Sequence, residues 1–151
     1  MRGSVTSNRV GGRPSTQLRV SPDAVACAPC DDLVVSLTVL IVDDHARFRM
    51  LARSVLETEG FTVVGEAEDG ASALVEAGRL HPEVILLDIQ LPDLDGFRVA
   101  ERLAQEADPP AVVLVSTRDI SSYRRRLDGA PVRGFILKSE LSGHAISALV
   151  S

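Results

Sequence analysis

The sequence predicts a doubly wound α/β domain on a five-stranded parallel sheet, and three observations predict it. Five short apolar runs rich in β-branched residues recur after position 37, their starts lie 20 to 28 residues apart, and the segments between them carry apolar residues at helical spacing. Continuous apolar runs suit strands covered on both faces. The spacing leaves room for a crossover helix each time. Parallel strands joined in this way make an open sheet with helices on both sides.

The first run is Val39-Leu40-Ile41-Val42. Phe48, Leu51, Ala52, Val55 and Leu56 follow at i, i+3, i+4, i+7 and i+8, predicting a helix that Gly60 stops. Phe61-Thr62-Val63-Val64 is the second run; Asp69 then caps a helix carrying Ala73, Leu74 and Ala77, closed before Pro82. After Val84-Ile85-Leu86-Leu87, a third helical stripe reads Phe97, Ala100, Leu103 and Ala104. Val112-Val113-Leu114-Val115 is the fourth run, and the stripe behind it is the weakest, with Ile120, Tyr123 and Leu127 alone. Val132 to Leu137 is the fifth run, and Leu141, Ala145, Ile146 and Leu149 predict a final helix.

Residues 1–37 read differently. They hold Gly3, Gly11, Gly12, Pro14, Pro22 and Pro29, with no strand or helix period before Leu33, and are expected to form a flexible extension ahead of a domain at 38–151. That extension is slightly basic (four Arg against three Asp), while the domain is acidic (twelve Lys and Arg against eighteen Asp and Glu). The 151 residues carry a net charge of −5 and 3% aromatics, which argues against direct nucleic-acid binding and against a base-stacking platform. The longest apolar stretch, Leu33 to Val42, is too short to span a membrane, and no signal peptide is visible, so a cytoplasmic protein is expected. Cys27 and Cys30 form a lone CxxC in a Pro-rich lead-in, without the further ligands zinc requires, and are read as chemically incidental.

Ligands of open parallel sheets bind beyond the carboxyl ends of the strands. The first run stops at Asp43-Asp44, the third at Asp88 and the fourth at Ser116, while Lys138 follows the fifth. Singly, an Asp after a strand can be a cap, a Ser a turn former and a Lys a solvated surface group. Together on one edge they make a different object. Two carboxylates about 4 Å apart repel by roughly 4 kcal/mol at an effective dielectric near 20. Three of them against one lysine require either a raised pKa or a bound cation. Hard oxygen donors of this kind suit Mg²⁺, and a lysine opposite could neutralise a phosphoryl group.

At these residues the chain resembles a known family. Val39-Leu40-Ile41-Val42-Asp43-Asp44-His45, Asp88-Ile89-Gln90-Leu91-Pro92-Asp93-Leu94-Asp95-Gly96, Val115-Ser116 and Gly134-Phe135-Ile136-Leu137-Lys138 are similar to the motifs of response-regulator receiver domains of two-component signalling. The resemblance covers residues 38 to 151, in the style of receivers that usually carry a helix-turn-helix output domain. It implies a flavodoxin-like (βα)5 fold with strand order 2-1-3-4-5. It also implies that Asp88 accepts a phosphoryl group from a sensor histidine kinase or phosphotransfer protein. By the same resemblance Asp43, Asp44, Asp88 and the backbone carbonyl of Gln90 would hold Mg²⁺, Asp43 through water. Lys138 and Ser116 would contact the phosphoryl group, Phe135 would be the switch aromatic, and Pro92 and Gly96 would shape the loop. The implied activity is limited to self-phosphorylation and autodephosphorylation, not an enzyme in the usual sense. A change of partner-binding face, including a phosphorylation-dependent homodimer, would be the output.

Some residues depart from the family's commonest pattern. Ser116 keeps the hydroxyl of the more frequent Thr, Thr117 stands where a smaller residue is frequent, and Phe135 lacks a phenolic hydroxyl. His45 is read as opening the first helix, and Arg124-Arg125-Arg126 as a solvated basic face. Two other readings remain open: a degenerate receiver acting as a phosphorylation-independent binding module, and a Mg²⁺-dependent aspartyl phosphatase. The second would call for an Asp two positions after Asp88, where Gln90 stands. Ser151 falls near the expected end of the last helix, so the output domain is expected elsewhere, on a partner or on a longer chain.

Overall fold

The computed structural model describes residues 36–150. Cys27, Cys30 and all of the expected extension except Ser36 and Leu37 lie outside them. Strands and helices alternate along the described chain: β1 (Thr38–Val42), α1 (Ala46–Thr58), β2 (Thr62–Ala67), α2 (Gly70–Leu80), β3 (Val84–Asp88), α3 (Gly96–Leu103), β4 (Ala111–Ser116), α4 (Arg124–Leu127), β5 (Gly134–Leu137) and α5 (Gly143–Val150), with 3-10 turns at Ile120–Ser122 and Lys138–Glu140. The five strands are parallel, in the order 2-1-3-4-5. Fold class and strand order are those expected.

Each apolar run serves both faces of the sheet because successive side chains in a strand point opposite ways. Val39, Ile41, Val84, Leu86, Val113 and Val115 pack with Ala52 and Leu56 of α1 and Ile146 of α5. Leu40, Val42, Ile85, Leu87, Val112 and Leu114 pack with Ala73, Phe97, Val99, Leu103 and Tyr123 on the other side. Asp88 continues the parity of Val84 and Leu86, whereas Ser116 continues that of Val112 and Leu114.

The elements differ from the sequence reading where periodicity overstates a stripe. Leu51 is 56% exposed, because α1 turns Phe48, Ala52 and Leu56 inward and leaves Leu51 beside that line. Ala104 is exposed just past the end of α3. The second strand runs on to Ala67, and its pairing with β1 slips between Val39 and Leu40. The fourth helix is reduced to four residues after a 3-10 turn, in keeping with its sparse apolar stripe. Leu141 precedes α5, whose first turn is capped by Ser142 Oγ accepting the Ala145 amide at 3.0 Å. The packed region also reaches upstream of the expected start: Leu37 lies against the α1–α5 core, and Ser36 Oγ donates to the Gly60 carbonyl at 2.7 Å.

Two loops at the carboxyl edge are tied down through α2. Asp69 caps the helix by accepting the Ser72 amide at 2.8 Å, and the Ser72 hydroxyl accepts the Asp69 amide in return. Asp93, from the loop between β3 and α3, accepts the Gly70 and Ala71 amides at 2.7 and 2.9 Å. The first orphan amides of α2 are thus satisfied from two loops at once.

Candidate functional site at the carboxyl edge of the sheet

β1 delivers Asp43 and Asp44 to the carboxyl edge beside the end of β3. Asp43 is fully buried. Its Oδ1 accepts the His45 amide at 2.7 Å, which turns the chain into α1. The His45 ring lies between two carboxylates, with Nδ1 3.2 Å from Asp43 and 3.1 Å from Asp44. His45 therefore both opens α1, as the sequence indicated, and borders the acidic cluster. Arg49, one turn into α1, donates to the Asp43 carbonyl and, through Nε, to Glu66 at 3.0 Å. Arg53 binds the other Glu66 oxygen at 2.8 Å, so an ionic clasp fixes the backbone that presents Asp43.

Asp88 ends β3, 3% exposed. Its Oδ1 accepts the Gln90 amide at 3.2 Å, and the loop returns at once through a Gln90–Asp95 bridge and the Gly96 amide on the Ile89 carbonyl at 2.7 Å. This return explains Gly96. A Cβ there would stand 2.6 Å from the Asp88 carbonyl oxygen and 2.8 Å from the Ile89 Cα, so any side chain would displace the backbone of the acid.

Lys138 enters from the end of β5. Its ammonium lies 2.5 Å from Asp43 Oδ2 and 3.4 Å from Asp88 Oδ2, over the Phe48 ring. Burial pushes the Asp88 carboxyl up from 3.8 to about 6, and the Asp43 charge adds to the rise; Lys138 and the Gln90 amide oppose it. One ammonium thus serves two buried carboxylates without fully neutralising them.

A cation fits this arrangement. Asp43, Asp44, His45 and Asp88 each offer a ligand atom, all within 4.8 Å of one another. Asp43 Oδ2 is buried and accepts no aligned hydrogen bond despite the nearby ammonium. Hard carboxylate oxygens outnumbering one lysine match a small divalent ion rather than a soft metal.

Ser116 and Phe135 belong to a neighbouring group. Ser116 Oγ is buried, accepts the Arg118 amide at 3.0 Å and pairs with the Tyr123 hydroxyl at 3.3 Å. Tyr123 in turn lies between Phe97 and Phe135, with ring centroids 6.1 Å from each. In the sequence Tyr123 reads only as one apolar tooth of a weak helix. The available signal was its being the chain's single tyrosine, seven positions after Ser116. The basic run is also less free than expected, since Arg126 donates to Asp95 at 2.7 Å and stacks 4.2 Å above Phe97. Arg124 and Arg125 are exposed, as are Thr117 and Arg118.

Comparison with known proteins bears on what these groups do. The family model for the response regulator receiver domain matches residues 39–149. BvgA of Bordetella pertussis, named for positive transcription regulation of virulence factors, is 36% identical over 110 residues, 73% of this chain and 53% of its own. A protein of Pseudomonas aeruginosa named as a transcriptional regulator is 38% identical over 102 residues, 68% of this chain and 49% of its own. The chain thus spans about half the length of these curated relatives. The signal receiver domain of NarL from Mycobacterium tuberculosis superposes with a TM-score of 0.69 at 31% identity, over 76% of this chain and 96% of that one.

Proposed function

This chain belongs to the response regulator receiver domain family, and from that premise we propose that Asp88 is the phosphoacceptor of a phosphorylation-dependent signalling switch. The observation that carries the proposal is the buried pair of Asp43 and Asp88 sharing the Lys138 ammonium. The Asp88 carboxylate is held at the carboxyl edge of the sheet by the Gln90 amide on one oxygen and by Lys138 on the other. Asp43, Asp44 and Asp88, with the Gln90 carbonyl, would hold Mg²⁺. Bound there, the ion would supply charge neutralisation for an incoming phosphoryl group. Lys138, 3.4 Å from Asp88 Oδ2, would offer the same group a point charge. Phosphoryl transfer needs positioning and electrostatic stabilisation more than acid–base groups, and these residues supply both.

The donor in this reading is a phosphohistidine of a sensor kinase or phosphotransfer protein, and the domain receives the group rather than acting on an outside substrate. The transcription-regulator names of its relatives support an output in the control of transcription. Among the described residues no helix is long and apolar enough to cross a membrane. The test is intact-mass spectrometry of the full chain after acetyl phosphate, with and without Mg²⁺, beside Asp88→Ala. One Mg²⁺-dependent phosphoryl adduct on the wild type and none on Asp88→Ala is expected. Equal adduct on both proteins would remove Asp88 from the role.

A further inference from the structure

Ser116 faces away from Asp88. By strand parity it belongs to the face that packs on α3 and α4, and its hydroxyl is paired with Tyr123 at 3.3 Å, long for an O–H···O bond. One lone pair of Oγ is already used by the Arg118 amide. Either hydroxyl can donate in that pair, but because Ser116 faces away from Asp88 its Oγ cannot turn to an acceptor there without leaving the Tyr123 oxygen. A phosphoryl group on Asp88 would bring roughly two negative charges and three strong acceptor oxygens one register step from Ser116.

Tyr123 is placed to feel the loss. It is 7% exposed, and Phe135, the neighbouring aromatic on β5, has no hydroxyl to substitute for it. Its amide donates to the Ile120 carbonyl at 2.9 Å, closing the 3-10 turn, and its carbonyl accepts the Leu127 amide at 2.9 Å, opening α4. Any shift of this backbone moves both turns. α4 itself has four residues, none buried, and no side-chain cap.

Resting on the acceptor reading of Asp88, we propose that the Ser116–Tyr123 hydrogen bond is a latch exchanged on phosphorylation. Ser116 turns its hydroxyl to the phosphoryl group, and the buried phenol, deprived of its partner, unseats α4. The exchange makes Tyr123 a positioning residue that opposes the activated state.

The experiment titrates beryllofluoride with Mg²⁺ into the full chain by calorimetry, and follows α4 amides by hydrogen exchange. Tyr123→Phe keeps the ring packing and removes the competing hydroxyl, so beryllofluoride should bind roughly two- to tenfold tighter. In a Ser116→Ala background the same change should have no effect. Ser116→Ala alone should raise α4 exchange without beryllofluoride, because it leaves the phenol unpaired at rest. Unchanged or weaker binding by Tyr123→Phe, or an equal gain in the Ser116→Ala background, would overturn the latch while wild-type binding upholds the acceptor reading. A wild type that binds no beryllofluoride would overturn both.

Discussion

β3 and β5 end at the same edge of one sheet, yet β3 buries all five of its residues and β5 only one of four. The helices beside them differ in the same sense. α3 has eight residues, five of them buried, and its Asp95 cap accepts the Arg98 amide; α4 has four residues, none buried. The side holding Asp43 and Asp88 is over-determined by packing, capping and the Arg49–Glu66 clasp. Beyond β4, which buries five of its six residues, Tyr123 and Lys138 are held by a few polar contacts and an aromatic row. Transfer chemistry needs a fixed acceptor, whereas a response needs an element that moves at low cost, and such elements come from the low-stability end of a fold. In the proposed switch the two demands would fall on either side of β4, which separates β3 from β5 in the sheet.

Truncating one apolar side chain on each side tests that contrast most severely. Leu86 is fully buried in β3 between α1 and α5. Leu86→Ala should cost about 3–5 kcal/mol, as large-to-small changes in tight cores do. Leu127, half-buried at the end of α4, should lose less than half as much on truncation. Urea denaturation of both variants measures the difference, and equal losses would erase the distinction between the two sides.

The raised Asp88 carboxyl gives a second, smaller handle on the rigid side. In the unfolded chain this group releases its proton near 3.8, but in the fold it holds it until about 6. The folded protein therefore binds more protons between these values, and its stability falls as pH rises across them. A shift of about two units corresponds to roughly 3 kcal/mol at most. Metal-free protein in EDTA should be more stable at pH 5 than at pH 7.5, and Asp88→Asn should flatten the dependence. Glu66, Asp93 and Asp95, held below their ordinary values by hydrogen bonds from arginines or backbone amides, lose their contributions only at lower pH. Equal stability at the two pH values would mean that Lys138 compensates Asp88 fully.

What the sequence disclosed follows the same division. The β1, β3 and β4 runs and their terminal acids were legible because a doubly covered strand must be apolar throughout, so a charge marks its end. Asp69 and Gly60 were legible because caps and stops are local. Tyr123, Arg49 and Asp93 were not, for their partners are seven, six and twenty-three residues away and depend on how loops return to the edge. Leu51 misled because helical spacing alone does not say which of two adjacent apolar residues faces the sheet. The shortness of α4 was foreshadowed only by the thinness of its stripe.

The smallest effect falls on the responsive side and bears most directly on how α4 is held. Arg126 joins α4 to the start of α3 through Asp95 at 2.7 Å and through the Phe97 face at 4.2 Å. Both carboxylate and guanidinium are substantially exposed, so the pair and the stacking together are worth about 1 kcal/mol or less. Arg126→Ala should hardly change global stability, yet it removes a tether from a helix that has few. Amides of 124–128 should then exchange faster in hydrogen exchange, while those of α3, capped by Asp95 itself, should keep their protection. Arg126→Lys should restore little, since an ammonium keeps the charge but loses the planar contact with Phe97. If α3 loosened to the same degree as α4, the tether would be part of the rigid side, and the boundary between acceptor and response would have to be drawn beyond α4.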